Sequence, residues 1–185
     1  MAEFGFGPAS RDEKLVFGVQ RPGYPGKFVQ KQVAEDWIAC IRVQGVLRVV
    51  CLLSDDELKY YPTLSDGLLG LYAGAFGKDN VLWAPTADRQ LPTGEAVRHI
   101  LYFLHEATLK GEKVVVHCSA GLGRTGLVLA AWLVYHHNLT ERKAVRTVEE
   151  QNRSPREAVL YGSAKEEELM KVLAVARELD KPTSK

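Results

Sequence analysis

Val114-Val115-Val116-His117-Cys118-Ser119-Ala120-Gly121-Leu122-Gly123-Arg124-Thr125-Gly126 is the stretch from which the rest of the chain is read. A β-branched apolar run predicts a buried strand. It ends in a cysteine, passes through a loop with two glycines, and opens a helix at Arg124. That order aims successive main-chain N–H groups and a helix N-terminus at one spot, a nest for a tetrahedral oxyanion. A cysteine on the floor of the nest gains a second property, because the field that attracts phosphate also favours thiolate over thiol. Cys118 is therefore expected to be ionised at neutral pH and ready to attack.

The neighbours suit the same task. Gly121 and Gly123 allow positive φ and a close approach of the loop amides to a ligand. Arg124 offers a planar fork of donors matched to two phosphate oxygens. The Thr125 hydroxyl is placed to hydrogen-bond the Cys118 sulfur and ease its departure from a phosphocysteine. His117 is expected to orient the loop and help hold the thiolate rather than to act as a base. The amides of Ser119, Ala120, Gly121, Leu122, Gly123 and Arg124 form the expected phosphate cradle. A buried strand cysteine before an ordinary glycine turn is the competing reading, and it leaves this whole cluster of suited residue types unexplained.

Outward from this stretch the chain alternates. Residues 14–19 and 46–53 read as strands, with a helix from about 29 to 44 between them carrying Val33, Trp37, Cys40, Ile41 and Gln44 at helical spacing. Ser54 and Glu57 form a capping box for a short helix. Residues 63–76 are a weaker helix because of Gly67, Gly70 and Gly74. A strand over residues 80–83 precedes a loop and a helix capped by Thr93, which delivers the chain to the strand at Lys113. After the cysteine loop, Leu127 to Tyr135 is apolar on every side, as in a helix buried mid-domain. Two further helices follow, the last capped by Ser163 and Glu166. The expected fold is α/β: a central, mostly parallel sheet of four to five strands flanked by helices on both faces. Sites in such sheets lie beyond the carboxyl ends of the strands, where Cys118 falls.

The chain of 185 residues suits a single domain over residues 1–185, with residues 1–13 a loose arm or partial edge and residues 181–185 a polar tail. A net charge of +1 gives no general attraction for nucleic acid or a membrane surface, so any affinity for anions must be local. Cys40, Cys51 and Cys118 make no disulfide framework. Neither a secretory signal nor a membrane span is expected, which makes a reducing cytoplasm the default location. His99 and His105 are six apart and lack the pattern of a metal site, so neither metal nor cofactor is expected.

Cleaving a phosphoester also needs a proton for the leaving oxygen, then a base to activate water, and one carboxyl group can do both in turn. Asp88 lies 30 residues before Cys118, in the loop leaving a strand, between Pro85 and Pro92. Its competitor Asp79 precedes that strand and falls at the opposite edge of the sheet.

The motif His117-Cys118-x-x-Gly121-x-x-Arg124-Thr125-Gly126 resembles the signature loop of the cysteine-dependent protein tyrosine phosphatase superfamily. By that resemblance Cys118 is the nucleophile and Arg124 the phosphate clamp. Ala87-Asp88-x-x-x-Pro92 resembles the general-acid loop of compact dual-specificity phosphatases, especially the cyclin-dependent-kinase-associated phosphatase group, and the strand before Glu57-Leu58-x-Tyr60 is similar to that group too. The likeness covers roughly residues 28–180. A Trp-Pro-Asp loop is absent, although Trp83-Ala84-Pro85 stands nearby, and strict tyrosine specificity is not implied. In related folds the connection holding Arg153 and Arg156 faces the pocket, so these two and Arg89 are candidate substrate contacts. The implied activity is metal-independent phosphomonoester hydrolysis of phosphotyrosine or phosphoserine/threonine in proteins, with phosphate, sulfate or vanadate as site ligands. Phosphoinositide phosphatases of the superfamily tend to carry lysines in the loop, whereas Ser119, Ala120 and Leu122 are neutral. Inositol phosphates or phosphoinositides are the alternative, RNA 5′-phosphate is more distant, and a catalytically silent phosphate-binding module is the reading from another class.

Overall fold

The protein is described by a computed structural model covering residues 3–180; Met1, Ala2 and the polar tail at 181–185 lie outside the described residues. Five strands form one sheet: β1 (Gly7–Pro8), β2 (Val16–Gln20), β3 (Val46–Cys51), β4 (Val81–Trp83) and β5 (Lys113–Cys118). Their order is β1-β2-β5-β3-β4, parallel throughout except for the antiparallel edge β1. Among the described residues eight α-helices accompany them: α1 (Lys31–Val43), α2 (Asp55–Leu58), α3 (Gly67–Phe76), α4 (Gly94–Leu109), α5 (Gly123–His137), α6 (Glu141–Glu149), α7 (Glu157–Leu160) and α8 (Glu166–Glu178).

Side chains alternate across β5 as a strand requires. Val114, Val116 and Cys118 enter the core under α4, α5, α6 and α8, while Val115 enters the one under α1 and α3. A sheet with apolar clusters on both faces explains why β3 and β5 are nearly continuous runs of apolar residues. Because β2, β3, β4 and β5 are parallel, Gln20, Cys51, Trp83 and Cys118 end at one edge of the sheet. No helix among the described residues is long and apolar enough to cross a membrane.

Two local expectations, at α1 and α8, are corrected. The segment before β2 forms a partial edge, one of its two expected readings. Its β1 pairs with β2, Ala9 is fully buried, and Glu13 accepts hydrogen bonds from Trp132 Nε1 at 2.7 Å and from the Leu15 amide at 2.8 Å. Burial works against the Glu13 charge, but these donors and His137 hold its carboxyl below the usual range. The inward face of α1 is Ala34, Trp37, Ile38 and Ile41; Val33 is exposed and Cys40 half-buried, so the buried stripe is turned relative to the expected one. At α8 the turn is closed by Glu168, whose carboxylate accepts from the Lys165 amide at 2.7 Å, and not by Ser163. The glycine-dotted α3 forms because Leu68, Tyr72 and Phe76 bury one face, and packing overrides propensity there.

Candidate active site

Cys118 is the last residue of β5, and α5 starts five residues later, so the loop turns sharply beneath a helix N-terminus. Gly121 carries φ +71°, and a Cβ there would lie 2.5 Å from the Val19 carbonyl oxygen. Only glycine fits both conditions. Gly123 departs from the expectation. It begins α5 in a helical conformation, and its missing Cβ makes room for the Glu157 carboxylate. Among the described residues, the amides of Ser119, Ala120, Gly121 and Leu122 donate to no main-chain carbonyl. A row of unpaired donors beside a cysteine is an arrangement that suits an oxyanion.

Buried arginines hold this loop from outside. Arg21, 1% exposed, donates from Nε to Ser119 Oγ at 3.0 Å, and its amide donates to the Ser119 carbonyl at 3.0 Å. Arg153 donates to the carbonyls of Gly121 at 2.6 Å, Gly18 at 2.7 Å and Gly5 at 2.7 Å. It braces the back of the loop, with both Nη atoms taken by main-chain carbonyls. Arg156 is likewise engaged elsewhere, by Glu149 and by Glu166 at 3.3 Å. Of the three candidate contacts only Arg89 stands at the rim, beside Gly123, Arg124 and Glu157.

Arg124 is buried, and a carboxylate absent from the expected site meets it. Glu57 binds its Nη1 and Nη2 at 2.6 and 2.8 Å, a bidentate pair. The same Glu57 accepts from the Ser54 amide at 3.0 Å, so one residue closes the capping box of α2 and carries the arginine's counter-charge. Burial would raise its carboxyl, yet Arg124 and the Ser54 amide hold it below the usual range. Arg124 in turn loses some charge stability to burial, and Glu57, Cys118 and Asp88 more than restore it. Thr86 O accepts from Nη1 at 2.8 Å and Asp88 Oδ1 from Nη2 at 2.9 Å. Only Nε lacks a partner, although it is buried. Asp88 and an oxyanion bound through Nε and Nη2 would therefore compete for the same edge of the guanidinium.

Two expected roles change. Thr125 Oγ1 is buried and makes no hydrogen bond to the Cys118 sulfur; the methyl group of this side chain packs against Gly18. His117 is fully buried, and burial pushes it down to about 4. Its neutral ring bonds the Cys118 carbonyl through Nδ1 at 3.2 Å and Tyr72 Oη through Nε2 at 3.2 Å. Held through both nitrogens, the neutral ring brings no positive charge to a thiolate. Cys51 lies in the core cluster on the opposite face of the sheet from Cys118, and burial pushes its thiol up to about 12. Asp79 sits in the turn before β4, away from the edge where Cys118 ends.

Asp88 belongs to the loop after β4. That loop leaves the sheet through bonds from the Ala84 amide to Cys51 O at 3.0 Å and from the Thr86 amide to Leu52 O at 3.2 Å. These carry it across the carboxyl ends of β3 and β5 and bring Asp88 to Arg124. Glu157 faces the same spot, and burial together with Asp88 raises its carboxyl above the usual range. Neither Glu57, Arg21 nor Glu157 stands out in the sequence as a site residue. The only available signal was the likeness of Glu57-Leu58-x-Tyr60 to one phosphatase group.

Residues 75–163 match the family described as dual specificity phosphatase, catalytic domain. The chain is 40% identical over 58 residues to the tyrosine-protein phosphatase CDC14 of Candida albicans, covering 31% of this chain and 11% of that protein. It is 36% identical over 73 residues to the phosphatidylglycerophosphate phosphatase PTPMT1 of Arabidopsis thaliana, covering 40% and 20%. The matched stretches are thus a fifth or less of these two relatives. Among solved structures, Tk-PTP in the active form superposes with a TM-score of 0.65 at 26% identity over 92% of this chain and 97% of that one. Kinase associated phosphatase shares the fold, with a TM-score of 0.63 at 19% identity over 89% and 88%. Over just under half its length the chain is thus similar to the dual specificity phosphatase catalytic domain, and the likeness to Tk-PTP extends over nearly the whole chain.

Proposed function

We propose that the protein is a metal-independent phosphomonoester hydrolase acting through a phosphocysteine. The observation that carries this reading is the run of unpaired amides at 119–122 beside Cys118, with the unpartnered Nε of Arg124 buried nearby. Unmatched donors of this kind suit a dianionic tetrahedral group. The Cys118 thiolate attacks phosphorus in line and forms the S–P bond, while the bond to the leaving oxygen breaks and Asp88 supplies its proton. Water then attacks phosphorus, Asp88 takes a proton from it, and the S–P bond breaks to release phosphate. The amides of Ser119 to Arg124 and the Arg124 guanidinium carry the equatorial oxygens. They supply the positive charge for which other phosphatases use metal ions.

Phosphotyrosine and phosphoserine/threonine in proteins are the first substrate class. The neutral loop side chains support it, and so does the engagement of Arg153 and Arg156 by groups other than a polyphosphorylated headgroup. The match to a phosphatidylglycerophosphate phosphatase supports a second reading, a phosphorylated lipid headgroup or inositol phosphate. A reducing compartment such as the cytoplasm suits the thiolate. The test is turnover of 4-nitrophenyl phosphate in EDTA by wild type and Cys118→Ser, followed by phosphopeptide and phosphoinositide panels. Wild type should turn over and Cys118→Ser should fall below detection. Full activity of that variant would refute the nucleophile, and phosphate binding by an inert wild type would leave a silent binding module.

A further inference from the structure

The residue after the proposed acid has an unusual backbone. Arg89 adopts φ +58°, in the left-handed region that disfavours residues with a Cβ. Its guanidinium carbon lies 4.0 Å from the centre of the Tyr161 ring. Tyr161 is the C-cap of α7, the short helix whose first residue, Glu157, packs on Gly123 at the base of the cysteine loop. Neither partner is demanded by the core, since the Arg89 side chain is 52% exposed and Tyr161 is 59% exposed. The acid loop therefore has two moorings. Main-chain bonds at Ala84 and Thr86 hold its start, and the stack on Tyr161 holds it just beyond Asp88. Between them the Asp88 carboxylate reaches Arg124 Nη2, the edge it would have to yield to a phosphate.

We propose that Tyr161 is a positioning residue for proton transfer. By stacking on Arg89 it fixes the backbone on the far side of Asp88. When a phosphate takes the arginine edge, the carboxylate then pivots over the cup toward the leaving oxygen instead of swinging away with the loop. This assigns Arg89 to the loop rather than to substrate. The inference rests on the phosphatase reading above.

A misplaced acid matters most where the leaving group is poorest, because 4-nitrophenolate departs almost unaided whereas an alkoxide needs its proton. The experiment compares kcat for a phosphoserine peptide with kcat for 4-nitrophenyl phosphate. Tyr161→Ala should lower the ratio of the two by about two- to five-fold, the strength of an exposed cation–π contact, with KM unchanged. Tyr161→Phe keeps the ring and should restore the ratio. Tyr161→Ala added to Asp88→Asn should have no further effect, since the group being positioned is gone. An unchanged ratio, an equal loss on both substrates, failure of phenylalanine to rescue, a KM effect alone, or a persisting loss in the Asp88→Asn background would each overturn the proposal. All of these leave the Cys118 chemistry standing. An inert wild type or a fully active Cys118→Ser would instead overturn the phosphatase reading itself.

Discussion

The cysteine loop and the acid loop meet at one guanidinium, but they are built in opposite ways. The first is sunk among buried side chains: Cys118 is 2% exposed, His117 lies beneath it, and Arg21 and Arg153 grip its carbonyls from outside. The second lies on the surface, with the Asp88 side chain 58% exposed and joined to the site by a contact to Arg124. The difference follows from the work proposed for each. A cradle that must match a tetrahedral charge distribution gains from donors that do not reorganise. A group that must give a proton to one oxygen and later take one from another must be free to move. Rigidity is concentrated where charge is bound, and freedom where protons travel.

That contrast can be broken at the buried side first. Glu57→Gln leaves Arg124 without its buried counter-charge, and urea denaturation should show a loss of about 3–5 kcal/mol. A smaller loss would mean that Asp88 or water takes over the pairing. Next comes acid. His117 is held down to about 4 in the fold against an ordinary 6.5, so between those values the unfolded chain binds the additional proton. Stability present above pH 6.5 is therefore lost as pH falls toward 4, by about 3 kcal/mol from this residue. The slope of melting temperature against pH in that window should flatten in His117→Asn relative to wild type. The smallest effect on stability sharpens the contrast most. Asp88→Asn should unfold within about 0.5 kcal/mol of wild type, yet lower turnover of alkyl phosphates about 10²- to 10⁴-fold. A large stability change in that variant would make the acid loop part of the scaffold.

What could be read beforehand was whatever is written locally. The strand, loop and helix around Cys118, the alternation of strands and helices, the Ser54–Glu57 cap and the proximity of Asp88 all follow from spacing within a few residues or from strand order. What escaped is carried by side chains reaching across the fold. Glu57 meets Arg124 over 67 residues and Arg21 meets Ser119 over 98, and no periodicity encodes either contact. Glu57 was hidden by its own local explanation, since a capping box accounts for a glutamate at that position without any second partner. Likeness to related folds makes Arg153 a candidate substrate contact; three main-chain carbonyls take its Nη atoms, a pairing no local pattern encodes. The Thr125 hydroxyl was assigned by its place after Arg124, but which branch of a threonine faces the sulfur is decided by the rotamer that fits against Gly18.

Arg153 gives the leading segment a stake in the reaction. One guanidinium fastens Gly5, 148 positions away in the chain, and Gly121 of the cradle to the same planar group. A change ahead of β1 that displaces the Gly5 carbonyl would therefore free one donor of the group that also holds Gly121.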